Sequence, residues 1–127
     1  MKVAKRKLIV VDDDQAMANF VYEVGDALGF DVRTTFDGVQ FLELLGEEPA
    51  NVVVIDVVMP VMDGIEILQK LAKFKVQPSI ILMSGYNHMT VTKKLGLSLG
   101  LSIIGDLHKP FRISELTELL DQIPPAE

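Results

Sequence analysis

The 127-residue sequence contains no cysteine, and its 12 basic residues are outnumbered by 18 acidic ones. The absence of cysteine excludes a disulfide framework and a thiolate metal site. The net charge of −6 argues against sequence-independent binding to a nucleic-acid backbone, which requires a basic surface. Long apolar runs are also missing: none approaches the roughly 18 residues of a membrane span, and the N-terminal run is too short for a signal peptide. We therefore expect a cytoplasmic protein that binds neither nucleic acid nor a membrane directly.

Short apolar runs alternate with segments of helical periodicity along most of the chain. The predicted strands cover residues 8–11, 31–36, 51–56, 80–83 and 102–107. The predicted helices run from the N-cap Asp14 to about Gly29, and over about 38–46, 64–74, 89–99 and 113–123. In the third helix, the residues expected to face the core are Ile65, Leu68, Leu71 and Ala72. The fourth helix is expected to be weak because of Gly96 and Gly100.

This alternation predicts an α/β fold with a doubly wound, five-stranded parallel sheet. The first, third and fourth strands are apolar throughout, whereas the second alternates and therefore belongs at an edge. These features favour the flavodoxin-like order 2-1-3-4-5, with its switch point between the first and third strands. We expect one domain over residues 1–123, followed by a tail or linker stub at 124–127.

Polar side chains follow four of these strands at the point where each strand ends. They are Asp12 and Asp13, Asp56, Ser84, and Lys109. Because the carboxyl ends of parallel strands share one edge of the sheet, the carboxylates should lie close together. At 4 Å and an effective dielectric constant near 20, each like-charged pair repels by about 4 kcal/mol, so a proton or cation is needed.

The chemistry that suits this group of side chains is phosphoryl transfer. Carboxylate oxygens that leave room for water and phosphate suit Mg²⁺. Asp56 is a candidate nucleophile that would form an acyl phosphate. Ser84 and Lys109 are candidates to contact the phosphoryl oxygens.

These motifs together resemble the receiver domain of bacterial two-component response regulators, a CheY-like fold. The resemblance covers about residues 7–123 and is carried by Val11-Asp12-Asp13, Asp56, Met59 to Gly64, Ser84-Gly85 and Lys109-Pro110-Phe111. It implies a phosphoprotein that takes its phosphoryl group from a sensor histidine kinase or phosphotransfer protein. It also implies an output domain or downstream protein controlled through the face formed by the fourth helix, the fifth strand and the fifth helix. Such a regulator is not an enzyme beyond its own phosphorylation and dephosphorylation.

The resemblance also implies a role for each residue of the site. Asp56 would be the phospho-acceptor and a Mg²⁺ ligand, with Asp13 as a second direct ligand. Asp12 would act on the metal through water, and Val58 would contribute its backbone carbonyl. The phosphoryl group would be contacted by Ser84 and Lys109.

Two positions depart from the receiver pattern. Three residues before the lysine, receivers commonly carry an aromatic residue that changes rotamer on phosphorylation, whereas this sequence has Asp106. The interval from Ser84 to Lys109 is 25 positions (109 − 84), longer than expected. We therefore expect Asp106 to stay solvated, and the switch to run from Ser84 through the loop Gly85-Tyr86-Asn87-His88 into the fourth helix. Residues 95–111 are similar to receivers attached to EAL-type cyclic-di-GMP phosphodiesterases, which makes such a domain one candidate output.

Other functions remain open at this stage. A haloacid-dehalogenase-type phosphatase would use Asp12 as its nucleophile, although Ala16 breaks the motif of that family and Asp56 would be unexplained. A flavodoxin would need a hydroxyl-rich loop after the first strand, where this chain has three aspartates. A receiver-like module that binds partners without phosphorylation is a third alternative. We interpret His88 and His108 as ordinary loop or strand-end residues.

Overall fold

The apolar runs form neighbouring strands of one parallel sheet in a computed structural model that describes residues 4–85 and 89–125. The sheet order is β2-β1-β3-β4-β5, which confirms the predicted flavodoxin-like topology. The elements are β1 (Lys7–Val11), α1 (Gln15–Ala27), β2 (Asp31–Thr35), α2 (Gly38–Glu47), β3 (Val52–Asp56), α3 (Gly64–Leu71), β4 (Ser79–Ser84), α4 (Met89–Ser98), β5 (Ser102–His108) and α5 (Ile113–Leu120).

Helices cover both faces of the sheet, which explains why the central strands are apolar throughout. Ile9 and Val11 point into a core shared with α2, α3 and α4. Leu8 and Val10 point into the opposite core, shared with α1 and α5. Successive side chains of a strand thus enter different cores, and both sets must be apolar. Within the described ranges, no helix combines the length and hydropathy needed to cross a membrane.

Three aspartates fix where helices begin. The carboxylate of Asp14 accepts a hydrogen bond from the Ala16 amide at 3.0 Å, which confirms the predicted N-cap of α1. Asp37 caps α2 and Asp63 caps α3 in the same way. Each cap of this kind stabilises a helix by about 1 kcal/mol. Two of these helices begin immediately beside strand ends, so the caps also set the lengths of the loops around the sheet edge.

Glycines with positive φ end α1 and α4. Gly29 has φ +88° and Gly100 has φ +77°. In both helices the residue after the glycine donates its amide back to the carbonyl five residues earlier, Phe30 to Gly25 and Leu101 to Gly96. The expectation that Gly100 weakens α4 was therefore wrong, because Gly100 lies beyond the helix and satisfies its C-terminal carbonyls.

Two helices end about three residues earlier than predicted, α3 at Leu71 and α5 at Leu120. Beyond α3 the side-chain amide of Gln77 donates to the Leu71 carbonyl at 2.9 Å and so satisfies a group that a further turn would have used. The predicted core face of α3 was also partly wrong, because Ile67 is fully buried and Ile65 is only partly buried. The buried residues of α3 are Gly64, Ile67, Leu68 and Leu71, which have the i, i+3, i+4 and i+7 spacing of one helix face.

The Arg6 side chain joins the beginning of the domain to its end. Its guanidinium donates to the carbonyl of Ile123 at 2.9 Å and to that of Leu28 at 3.2 Å. It also lies 4.1 Å from the ring centroid of Phe30, a cation–π contact. The basic residues before β1 therefore include one with a structural role at the edge of the sheet opposite the carboxyl ends of the strands.

Candidate functional site

The carboxyl edge of the sheet is held by hydrogen bonds that continue past the strand pairs. The backbone amides that extend the ladder are those of Asp12 to Thr35 at 3.1 Å, Val57 to Met83 at 2.8 Å and Lys109 to Ser84 at 2.9 Å. Each strand that delivers a polar side chain is thus bonded at its carboxyl end to a neighbouring strand. The functional groups therefore project from a rigid edge.

Three carboxylates meet at this edge, as the sequence predicted. Asp12, Asp13 and Asp56 each offer an oxygen, and these oxygens lie within 4.8 Å of one another. Asp12 is fully buried and Asp56 is only 4% exposed, whereas Asp13 faces solvent. Three hard oxygen donors with one open side fit the coordination preferences of Mg²⁺.

Lys109 supplies a positive charge to the same group. Its Nζ lies 2.8 Å from Oδ2 of Asp12 and 3.5 Å from Oδ2 of Asp56. The other oxygen of Asp12 accepts the Asp14 amide at 2.9 Å, so both oxygens of this buried carboxylate are engaged. The direct pairing of Lys109 with Asp12 was not predicted. The repulsion expected among the carboxylates indicated that the site needs a cation, and Lys109 supplies part of the positive charge.

These charges alter the ionisation of the site. Burial, followed by the charge of Asp12, raises the pKa of Asp56 to about 7, although Lys109 and the Val58 amide act in the opposite direction. Burial alone would lower the pKa of Lys109. Its hydrogen bond to Asp12 and the negative charges nearby outweigh that effect, so the pKa of Lys109 lies above its ordinary value.

Lys109 is positioned by the residues that follow it. The Phe111 ring meets the Phe20 ring of α1 edge to face, with 5.8 Å between centroids. This contact, together with the Lys109 amide bond to Ser84, fixes the segment after β5 on two sides. The Lys-Pro-Phe sequence therefore holds the ammonium group at the carboxylates.

The loop after Asp56 brings backbone groups close to the acceptor. The Val58 amide donates to Oδ1 of Asp56 at 3.2 Å. The resemblance to receiver domains implied a role only for the carbonyl of Val58. The hydrogen bond of its amide could not be predicted, because it depends on the conformation of the loop. The loop then enters α3 at Gly64, where an added Cβ would lie 2.8 Å from the Cα of Val57. Only glycine allows this approach, so Gly64 has a packing role in addition to its place in a turn.

Met59 and Met62 are buried in this loop, where both belong to the core shared with α2, α3 and α4. Between them, the Met62 amide donates to the Pro60 carbonyl at 2.8 Å, and Val61 has φ +70°. A two-residue hydrogen bond across a residue with positive φ is the strained form of γ-turn. This turn could not be predicted from the sequence, because the residue at its centre is neither glycine nor asparagine.

Ser84 is fully buried at the end of β4, one residue after the partner of Asp56 in the sheet register. Gly85 is exposed beside it. The other predicted switch residues, Tyr86, Asn87 and His88, lie outside the described residues. His108 is exposed at the end of β5 and does not belong to the acidic group.

Asp106 does not join the site. It is exposed on β5, and its carboxylate pairs with Lys93 of α4 at 3.2 Å. A bulge contributes to this position: Ile80 pairs with Ile103 but Ile81 pairs with Gly105, so β5 holds one extra residue. The bulge takes up one residue of the long interval between Ser84 and Lys109. The expectation that Asp106 is solvated is met in this conformation.

Comparison with known proteins agrees with the site. The family model described as "Response regulator receiver domain" matches residues 8–121. The chain is similar to the chemotaxis response regulator CheY4 of Vibrio cholerae, with 25% identity, a TM-score of 0.80, and coverage of 95% of this chain and 100% of that one.

Two further solved structures have the same fold. One is a two component transcriptional regulator AraC from Clostridium phytofermentans, with 30% identity, a TM-score of 0.75, and coverage of 93% and 90% of the two chains. The other is a CheY-like receiver domain protein from Methanospirillum hungatei, with 22% identity, a TM-score of 0.84, and coverage of 94% and 93%. The chain therefore belongs to the response regulator receiver domain family, the CheY-like modules of two-component signalling.

Proposed function

We propose that the chain is a phospho-accepting regulator whose acceptor is Asp56. The observation that carries the proposal is the meeting of the Asp12, Asp13 and Asp56 carboxylates with the Lys109 ammonium at one edge of the sheet. Asp56 ends the central strand β3, where its carboxylate lies beside those of Asp12 and Asp13 and 3.5 Å from the Nζ atom of Lys109. A nucleophile in that position can be reached by a donor from the solvent side, where Asp13 is exposed.

The transfer forms one bond and breaks another. An ionised oxygen of Asp56 attacks phosphorus, and a P–O bond forms as the P–N bond of a phosphohistidine breaks. The histidine nitrogen leaves with the electron pair of that bond. Lys109 is positioned to pair with the new phosphoryl group, and the Ser84 hydroxyl is a donor at the neighbouring strand end.

A Mg²⁺ ion would be held by Asp13 and Asp56, with the Val58 carbonyl as a further ligand. When bound, the ion would neutralise negative charge on the phosphoryl oxygens. Asp12 has one oxygen on Lys109 and the other on the Asp14 amide, which favours action through water over direct coordination. Asp12 thus positions Lys109 as well as adding charge to the site.

The test of this function is phosphorylation with acetyl phosphate and Mg²⁺. Intact-mass measurement should show one added phosphoryl group on the wild type and none on Asp56→Asn. Asp37→Asn is the matched control: it removes a carboxylate at a helix cap, where asparagine caps equally well, and should be modified like the wild type. Full modification of Asp56→Asn would contradict the assignment.

Magnesium should stabilise the folded protein. A cation that binds only the folded state raises stability by mass action, and at 100 times its dissociation constant the gain is about 2.7 kcal/mol. We expect a higher melting temperature in millimolar Mg²⁺ than in EDTA. The increase should be lost in Asp13→Ala, whose exposed side chain contributes little to the fold itself. An equal increase in that variant would place the ion elsewhere.

The structure does not favour a phosphatase that uses Asp12 as its nucleophile. The Asp12 carboxylate is fully buried, and both of its oxygens are engaged, one by Lys109 and the other by the Asp14 amide. A module that binds partners without phosphorylation would leave the three carboxylates and the lysine without a role. Acetyl phosphate treatment of Asp12→Asn and Asp56→Asn distinguishes these functions. A phosphatase would lose its covalent intermediate in Asp12→Asn, whereas a receiver would lose its phosphoryl group in Asp56→Asn.

The proposed phosphodonor is a sensor histidine kinase or a phosphotransfer protein. The proposed target is an output domain or a downstream protein, with an EAL phosphodiesterase as one candidate. The proposed switch runs from Ser84 and Gly85 into α4, since phosphate must favour one of two conformations for a signal to pass. Gly96 makes α4 dependent on close packing, because an added Cβ there would collide with Ile103.

Asp106 should have no part in this relay. Its ion pair with Lys93 lies at the surface, where such pairs contribute about 0–1 kcal/mol. We expect Asp106→Ala to keep the backbone NMR shifts that beryllofluoride, a phosphoryl mimic, induces between Ser84 and about Gly100. Lys93→Ala removes the other member of the same ion pair, and it should keep these NMR shifts as well. Loss of the shifts in Asp106→Ala, with beryllofluoride still bound, would make Asp106 part of the relay.

A further inference from the structure

A groove lies between the start of α2 and the loop after β3, and we refer to it as the α2 groove. Its volume is about 560 Å³, and its apolar lining comes from Phe36, Val39, Pro60, Val61 and Met62. Val39 is 51% exposed and Val61 is 100% exposed, so two aliphatic side chains face solvent at one place. Single exposed aliphatic residues are common on protein surfaces, but a lined groove that contains two of them is a candidate contact surface.

The backbone that presents Val61 is strained. Its φ of +70° is rare for a β-branched residue, because Cβ approaches the following carbonyl oxygen. The side chain is fully exposed, so no packing within the described part of the chain offsets this strain. Glycine or asparagine would form the same turn at lower energy. Strain that holds an aliphatic side chain out into solvent points to a use for that side chain in binding.

The charges of the α2 groove are all of one sign. Asp37 and Glu43 line it, both are exposed, and the lining includes no lysine or arginine. Among the described residues neither carboxylate forms a salt bridge, although Asp37 also caps α2 through the Gln40 amide. Glu43 is therefore the acidic group that is free to pair with a ligand. The groove is complementary to a ligand that combines apolar surface with positive charge.

We propose that the α2 groove is a docking surface for an extended segment of a partner protein that carries an apolar side chain beside a lysine or arginine. The apolar side chain packs against Val39, Val61 and Met62, and the cation pairs with Glu43. The surface is small, so the complex is weak and transient. Because Pro60, Val61 and Met62 belong to the loop that follows Asp56, the bound segment contacts that loop and leaves the α4-β5-α5 face uncovered.

The proposed ligand chemistry can be tested by selecting, from a random heptapeptide library, the peptides that bind to the full chain. This selection does not assume a sequence for the ligand. We expect enrichment of peptides with leucine, isoleucine or phenylalanine next to lysine or arginine. A synthetic peptide of the enriched sequence should shift the amide NMR signals of Gly38, Val39 and Met62. Glu43→Lys and Val39→Ser should each weaken its binding by about tenfold.

Two variants outside the groove serve as controls. Glu47→Lys makes the same charge reversal on the same helix, and Val91→Ser removes a more exposed valine from α4. Both should bind like the wild type. The proposal is overturned if the library yields no binder, if the enriched peptides are acidic, or if binding survives Glu43→Lys and Val39→Ser.

Val61→Gly separates binding from stability. Relief of the strained turn should raise the melting temperature, while loss of the exposed side chain should weaken peptide binding. A stabilised variant that binds as tightly as the wild type would overturn the role of Val61. The proposal does not depend on phosphorylation, and Asp56→Asn should bind the peptide normally. Failure of the proposed phospho-acceptor function would appear in the acetyl phosphate assay and would leave peptide binding unchanged.

Discussion

Asp56→Asn is expected to make the metal-free protein more stable by about 2 kcal/mol at about pH 8. Burial and the charge of Asp12 raise the pKa of Asp56 from an ordinary 3.8 to about 7. A difference of this size between folded and unfolded states corresponds to about 4 kcal/mol, and relaxation of the site around Lys109 should reduce it by about half. Asparagine removes the buried charge and keeps the shape of the side chain.

The gain should depend on pH in a defined direction. Below about pH 4 Asp56 is protonated in both states and contributes no penalty. Between about pH 4 and pH 7 the unfolded state loses its proton while the folded state retains it, so wild-type stability falls as pH rises. Above about pH 7 the penalty is complete. The advantage of Asp56→Asn should therefore grow from near zero at about pH 4 to its full value near pH 8.

Urea denaturation in EDTA at several pH values measures this effect. Asp37→Asn, an exposed cap whose replacement also caps well, should show almost no change. Millimolar Mg²⁺ should reduce or reverse the difference, because the ion stabilises the ionised carboxylate. A variant that is less stable than the wild type at about pH 8 in EDTA would show that the negative charge of Asp56 stabilises the fold.

Gly64→Ala is expected to destabilise the protein by about 3 kcal/mol, the upper part of the range for overpacking. The new Cβ would lie 2.8 Å from Cα and 3.2 Å from the carbonyl oxygen of Val57, and backbone atoms cannot move aside as a flexible side chain can. The Gly64 amide also donates to that same carbonyl at 2.9 Å. Relief of the collision must therefore displace the segment that follows Asp56, and phosphorylation by acetyl phosphate should slow as well.

Gly46→Ala is the matched control for this substitution. Gly46 is exposed in α2, and an added Cβ would meet only the Phe74 ring, at 4.0 Å. Alanine is favoured over glycine inside a helix by about 1 kcal/mol, so this variant should be more stable than the wild type. Thermal or urea unfolding of the two variants should thus give changes of opposite sign. A similar loss of stability in both variants would contradict the steric explanation for Gly64.

The fold was predictable because its strands are buried on both faces. The runs at 8–11, 52–55 and 80–83 are apolar without alternation, and the alternating second strand does lie at the edge of the sheet. Strand ends were equally clear, since each run stops abruptly at a polar residue. The grouping of Asp12, Asp13 and Asp56 followed directly, because parallel strands present their carboxyl ends on one side.

The features that were missed depend on contacts between residues distant in sequence or on unusual backbone conformations. The pairing of Lys109 with Asp12 spans 97 positions and depends on where the segment after β5 lies. The end of α3 depends on the Gln77 side chain, which no helix propensity describes. Val61 contradicts local preference, since a β-branched residue is a poor choice for positive φ. Local rules fail in this way where tertiary contacts or function set the conformation.

The Arg6 contact bears on how long the folded state lasts. The bond from its guanidinium to the Ile123 carbonyl joins positions 117 residues apart. It can form only when β1 and the turn after α5 are both in place, so we expect it to form late in folding. Interactions made after the transition state slow unfolding without speeding folding. We therefore expect Arg6 to prolong the lifetime of the native domain, while the core strands set the rate of folding.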